Sequence, residues 1–122
     1  MDAGGTPRLD AFAHLGRRAE QAATEHLEAK GYIIIDQNWR TRYCEIDIVA
    51  KKTGVIYFVE VKYRSTATHG TGLDFITSAK LRRMSFAAEL WVSKSSWRGL
   101  YQLAVIQVST PSYIIDEILL LT

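Results

Sequence analysis

Two short motifs hold the residues of this chain best suited to chemistry. Glu45-Ile46-Asp47 and Glu60-Val61-Lys62 each set two charged residues two positions apart within an alternating polar and apolar run. On a β-strand such residues share a face. Alternation therefore puts Glu45, Asp47 and Val49 on one side of the first run, and Cys44, Ile46, Ile48 and Ala50 on the other. In the second run Phe58, Glu60 and Lys62 share a face, with Tyr57, Val59 and Val61 opposite. If the two runs pair through the turn at Lys51-Lys52-Thr53-Gly54, their carboxylates and the lysine converge. Gathered, partly buried carboxylates are costly unless something neutralises them. Mg²⁺ or Mn²⁺ would do so, because a hard cation takes one or two carboxylates together with water and phosphate oxygens. Lys62 could then polarise an attacking water, steady a developing phosphorane charge or, with its pKa lowered by desolvation, serve as a base. A solvated sheet face held by cross-strand ion pairs has the same spacing, and alternation alone does not choose between the two. Cys44, directed away from Glu45 and Asp47 in this pattern, reads as a buried structural thiol.

Two helices must position these strands. Phe12, Leu15, Ala19, Ala22, Ala23 and Leu27 recur at steps of three and four, which predicts a helix over 10–30 with Asp10 as N-cap and Gly31 just past its end. Glu20 lies at the border of that stripe, near Gly16 and Ala23, and could reach toward the sheet. A second helix is expected over 73–94, with Ile76, Ala79, Ala87, Leu90 and Trp91 on its inner face and Lys80 and Arg83 in the same sector. Long basic side chains snorkel out of such stripes and are suited to phosphate contact. Strands are expected at 32–35, 43–50, 55–64, 101–109 and 113–121. The polar Asp36-Gln37-Asn38 follows the first, and 65–72 reads as a polar loop. The order is α-β-β-β-α-β-β. The three-strand meander makes part of the sheet antiparallel, and the second helix is long enough to return a strand parallel. The fold class is α/β, a mixed central sheet flanked by helices.

Composition narrows the classes. The 122 residues suit one domain, and 48% hydrophobic with 23% charged residues is a globular balance that excludes extended disorder. Residues 1–9 read as a disordered leader and 10–122 as the domain. No apolar run is long enough for a membrane helix. The start lacks the regions of a signal peptide, and a single cysteine cannot form an internal disulfide, so a cytoplasmic location is expected. The net charge of +2 permits an anionic partner. It implies weak DNA affinity unless the basic residues gather on one face or the chain forms a homodimer. Trp39, Arg40, Arg42 and Tyr43 interleave aromatic and basic residues as nucleic-acid surfaces do, and as ordinary strand edges also do. The three histidines and Cys44 show no metal-ligand spacing, and there is no Gly-rich phosphate loop.

The set Gly16-x3-Glu20, Glu45-Ile46-Asp47 and Glu60-Val61-Lys62 resembles the PD-(D/E)xK nuclease signature of restriction-endonuclease-like folds, including archaeal Holliday-junction resolvases. Gly31-Tyr32, Asn38-Trp39-Arg40, Glu45-Ile46-Asp47, Phe58-Val59-Glu60-Val61-Lys62 and Lys80 more closely resemble the YraN-type family of uncharacterised bacterial proteins. The resemblance implies a restriction-endonuclease-like fold in which Glu20, Asp47 and Glu60 hold the metal and Lys62 is the catalytic lysine. Glu45 is then auxiliary, and Lys80 matches a basic residue of the second helix. The chain departs from the pattern in carrying Cys44 where the family has glycine, and Ile46 where the older signature has proline. The expectation is a Mg²⁺- or Mn²⁺-dependent endonuclease acting on DNA, with branched or irregular DNA as the substrate the resemblance suggests. Lys80, Arg83, Arg40 and Arg42 would contact the DNA. The rivals are a non-cutting nucleic-acid-binding module of the same fold and a protein-interaction domain whose polar face is merely solvated.

Overall fold

A computed structural model describes residues 7–64, 76–109 and 112–121, without the side chains of 7–15 and 116–119. The expected order is observed: α1 (Pro7–Ala29), β1 (Ile33–Arg40), β2 (Glu45–Lys52), β3 (Val55–Arg64), α2 (Ser78–Ser95), β4 (Leu100–Ser109) and β5 (Ile114–Leu121). The five strands form one sheet in sequence order. Neighbours are antiparallel except β3 and β4, which run parallel from Val55↔Leu100 to Arg64↔Ser109 with α2 as the crossover between them.

Each face of the sheet carries one helix. Ala19, Ala23 and Leu27 of α1 pack on Ile48, Ala50, Val59, Ala104, Ile106 and Val108. On the other face Ala87, Ala88 and Trp91 of α2 pack on Ile46, Val49, Ile56, Phe58 and Leu103. Among the described residues no helix is long and apolar enough to cross a membrane.

Several boundaries differ from the sequence reading, each for a local reason. α1 begins at Pro7, so residues 7–9 are helical rather than leader; proline lacks only an N–H that the first turn leaves unpaired anyway. Residues 1–6 lie outside the described residues. Gly31 ends the helix as expected. At φ +93°, it donates to Glu28 O while Tyr32 N–H donates to Leu27 O, and these two bonds reverse the chain into β1. β1 does not stop at Ile35 but runs to Arg40, with a bulge between Ile34 and Asp36. An edge strand tolerates the polar Asp36-Gln37-Asn38 run, and here these side chains fasten both helices. Asp36 accepts from Trp91 Nε1 of α2 at 3.0 Å, and Gln37 Nε2 donates to Thr24 Oγ1 of α1 at 2.9 Å.

The β2–β3 turn closes on Thr53 (φ 53°) and Gly54 (φ 79°), the two positive angles of a two-residue hairpin. α2 begins at Ser78 rather than residue 73, because the Thr77 hydroxyl caps it by accepting from Lys80 N–H. Its inner stripe is rotated from the expected one. Leu81, Met84, Ala87, Ala88 and Trp91 pack inward, Ala79 is exposed, and Ile76 precedes the helix. The predicted 65–72 loop lies outside the described residues.

Candidate functional site

The site forms where the sheet splits. β2 and β3 pair from Lys52↔Val55 to Ile48↔Val59 and then part. β2 continues against β1 to Glu45, while β3 continues against β4 to Arg64. Asp47 is the first β2 residue beyond the last pair. Its Oδ2 accepts from Val61 N–H at 2.8 Å, in place of the strand partner that Val61 has lost. The carboxylate therefore lies in the fork.

This corrects the alternation predicted for β2. Ile48 and Ala50 pack with the α1 layer as one pair, but Cys44 and Ile46 pack with the α2 layer. The strand turns at Asp47, so period-two counting carried through it assigns the wrong side. Cys44 does not point away from the acidic residues. It lines the same cleft as Glu45 and Asp47, with its Sγ 3.5 Å from Thr41 Oγ1.

Asp47 borders two hollows. One, of about 270 Å³, lies between α1 and β1 and is lined by Arg17, Glu20, Thr24 and Asn38 among others. The other, of about 820 Å³, lies between α2 and the β1–β2 end and is lined by Arg40, Glu45, Glu60, Lys80 and Arg83 among others. Burial pushes the Asp47 carboxyl up to about 7. The Val61 N–H opposes that rise, while the charges of Glu60, Glu20 and Glu45 add to it. Four carboxylates thus feel one another around the fork. The Glu20 carboxyl is also raised, chiefly by burial and then by Glu45, against a hydrogen bond from Asn38 and the charge of Arg40.

On β3, alternation holds: Phe58 packs toward α2, Val59 and Val61 toward α1, and Glu60 faces α2 with Phe58. Glu60 Oε2 lies 3.5 Å from Lys62 Nζ and bonds directly to Lys80 Nζ. All three side chains are about four-fifths buried. Burial lowers the Lys62 pKa, and the neighbouring Lys80 lowers it further against the pull of Glu60. For Lys80 burial acts downward too, but its bonds to Glu60 and Lys62 outweigh it and the net direction is up. Lys80 holds its charge on Glu60, and Lys62 is the amine that gives up a proton more readily.

Arg40 pairs with Glu45 at 3.6 Å at the turn end of the β1–β2 hairpin, where both are exposed. Arg83 lines the large cleft, whereas Arg42 lies over the Tyr43 ring, 5.5 Å from its centroid. Sequence reading passed over Arg82 and Phe86, which line the cleft from α2. The Arg82-Arg83 doublet was the available signal for the first; nothing in the pattern singled out the second. Sequence reading placed Asn38 in the family motif but gave it no role at the site; its side chain is hydrogen-bonded to Glu20.

The donors around the fork are hard oxygens under mutual repulsion, a set that a hard divalent cation suits. Among the described residues, no group of three or more His, Cys, Asp or Glu side chains is arranged to hold one metal ion. Asp47 and Glu60 do line one cleft, and two carboxylates suffice for a cation that keeps water and takes phosphate oxygens.

Residues 19–108 match the model of the uncharacterised protein family UPF0102. The chain belongs to this family. It is the YraN-type family whose motifs the sequence resembles. A UPF0102 protein of Clavibacter michiganensis is 39% identical over 98 residues, covering 80% of this chain and 83% of the relative. One from Leifsonia xyli is 49% identical over 74 residues, covering 58% of this chain and 63% of the relative. One from Myxococcus xanthus is 39% identical over 94 residues, covering 76% and 75%. The UPF0102 span includes Glu20, Arg40, Arg42, Glu45, Asp47, Glu60, Lys62, Lys80 and Arg83, and hence the whole fork.

Proposed function

We propose that this UPF0102 protein is a metal-dependent endonuclease that hydrolyses phosphodiester bonds in DNA, with Asp47 and Glu60 as the metal-holding carboxylates. The observation that carries the reading is the fork. An acid raised to about 7 among three other carboxylates borders a cleft edged with arginines, and Glu60 in the lining of that cleft holds Lys62, an amine whose pKa is lowered. Pairs of titratable groups displaced in this way mark acid–base sites. The resemblance to restriction-endonuclease-like nucleases agrees with this reading.

Bound Mg²⁺ or Mn²⁺ would supply Lewis acidity at a phosphate oxygen and make bound water more acidic. The chain's own residues do the rest. Arg82 and Arg83 hold the DNA backbone at the α2 wall, a role in which Arg82 joins the expected Arg83 and Arg40. Lys80 neutralises Glu60 and fixes its direction. Lys62 Nζ takes the proton of the attacking water as the new P–O bond forms and the bond to the leaving oxygen breaks; that oxygen is protonated from solvent. Glu20, on the α1 side of Asp47, helps hold the negative potential that draws the cation. Because Arg40, Lys80, Arg82 and Arg83 line one cleft, the charge argument does not require a homodimer. A cytoplasmic site of action fits a chain with one cysteine.

The non-cutting module has one observation in its favour: both lysines already neutralise Glu60, so the pair can rest without a metal. The two readings separate in a cleavage assay with Mn²⁺ over linear, flapped and four-way DNA. Lys62→Ala is expected to cut about 10²–10⁴-fold more slowly while binding DNA as well as the parent. A protein that binds DNA and cuts none of these substrates, with Lys62→Ala indistinguishable from it, is a non-cutting module.

A further inference from the structure

Two exposed aromatic rings share the large cleft and come from separate elements. Tyr43, at the β1–β2 turn, is 73% exposed, and Phe86, on α2, is 50% exposed. Neither serves the core: the buried residues of α2 are Ala87, Ala88 and Trp91. Phe86 stands on a ridge. It lines the main cleft on one side and, on the other, a second hollow of about 490 Å³ with Ser78, Leu81, Arg82 and Ser85. Tyr43 is held in place. Its N–H donates to Thr41 Oγ1 at 3.0 Å, Thr41 N–H donates to Cys44 O at 2.8 Å, and the Arg42 guanidinium covers its ring.

A single exposed aromatic residue is ordinary. Two on opposite walls of one cleft, between Arg40 on one wall and Arg82 and Arg83 on the other, form the combination that binds single strands. Cations track the phosphates, and ring faces accept bases of any sequence. A base within a duplex is already stacked on its neighbours and offers no free face, so such rings select nucleotides that are out of the stack.

We infer that Tyr43 and Phe86 are base-stacking platforms that direct the cleft to DNA with unpaired nucleotides, such as a flap or gap, rather than to continuous duplex. The inference rests on the proposal that this cleft takes DNA, and it names the structural class of that substrate. The ridge at Phe86 gives a displaced base a hollow in which to lie, and Arg82 beside it meets the following phosphate.

The test measures binding in EDTA, so that cleavage plays no part. The probes are a 30-base-pair duplex and the same duplex with a short single-stranded flap carrying 2-aminopurine. Flap DNA is expected to bind more tightly than duplex, with quenching of 2-aminopurine fluorescence on binding. Phe86→Ala and Tyr43→Ala should each weaken flap binding about 5–10-fold, abolish part of the quenching and leave duplex affinity unchanged. Phe86→Trp should restore both signals, and Phe86→Leu, which keeps apolar bulk without a ring face, should not. Equal losses on flap and duplex, an unquenched flap, or a Phe86→Leu protein that behaves as the parent would each overturn the inference. Cleavage is scored separately with Mn²⁺. Flap-selective stacking without any cleavage sinks the nuclease proposal and leaves this inference standing, whereas cleavage without flap selectivity does the reverse.

Discussion

Asp47→Asn is expected to stabilise the metal-free protein while removing the proposed cleavage. The Asp47 carboxyl, ordinarily near 3.8, is held at about 7 by burial and by Glu60, Glu20 and Glu45. At about 1.4 kcal/mol for each tenfold change, ionised Asp47 costs the fold about 4 kcal/mol. Residual contact with solvent reduces the observable share to roughly 2 kcal/mol or more. The sign follows from proton linkage. The folded state keeps this proton up to about pH 7, and the unfolded chain releases it near 3.8. Stability from this group is therefore present at acid pH, declines as pH rises between those values, and is flat and unfavourable above them. Asparagine still offers an oxygen to Val61 N–H, so the fork keeps its hydrogen bond and loses only the charge. Urea denaturation in EDTA should show Asp47→Asn more stable than the parent at pH 8 by roughly 2–4 kcal/mol, with the advantage fading toward pH 4. Adding Mg²⁺ should stabilise the parent but not the variant, by about 2.7 kcal/mol when the ion is at 100 times its dissociation constant. A variant no more stable than the parent at pH 8, or one whose advantage is the same at acid pH, would refute the electrostatic account of the fork.

Three further outcomes are expected. Arg83→Ala should reduce the dependence of log affinity for DNA on log salt by roughly one counterion without changing the thermal midpoint, as read by titrations at several salt concentrations. Trp91→Phe keeps a ring against Phe58 but leaves Asp36 without its 3.0 Å donor, and should cost about 1–3 kcal/mol in chemical denaturation. Thr53→Asn should add about 0.5–1 kcal/mol, because a β-branched residue at φ 53° is strained where asparagine is at ease; a thermal midpoint unchanged or lowered would count against the turn described.

Periodicity made half of the site legible. Counting by twos along β3 put Glu60 and Lys62 on the α2 face and Val59 and Val61 on the other, because β3 is paired with β4 without a break along its whole length. The same count failed in β2. It assumes an unbroken ladder, and the ladder to β3 ends just before Asp47. Period 3.6 placed Glu20 at the edge of the α1 stripe, where it does meet the sheet. In α2 it rotated the stripe, because Ile76 was counted into a helix that starts only after the Thr77 cap, and Ala79, in the first turn, is exposed. Asp36, Gln37 and Asn38 looked like a strand end. Their partners, Trp91, Thr24 and Glu20, lie in the helices, and no local pattern records such distant bonds.

The parallel pairing of β3 with β4 has a consequence for how the molecule assembles itself. β1, β2 and β3 are sequential hairpins whose pairings close over short stretches of chain. Val55↔Leu100 instead joins residues separated by the whole of α2, and pairings of such high contact order are slow to form. Asp47 belongs to the quickly closed half of the sheet. The far end of β3, with Glu60 and Lys62, has β4 as its only strand partner among the described residues. The Glu60–Lys62–Lys80 cluster is therefore completed by the most non-local strand pairing among the described residues. A nascent chain that has formed only its meander carries Asp47 and Glu45 in place but holds the far end of β3 loosely, and the fork takes its final shape only when β4 has docked.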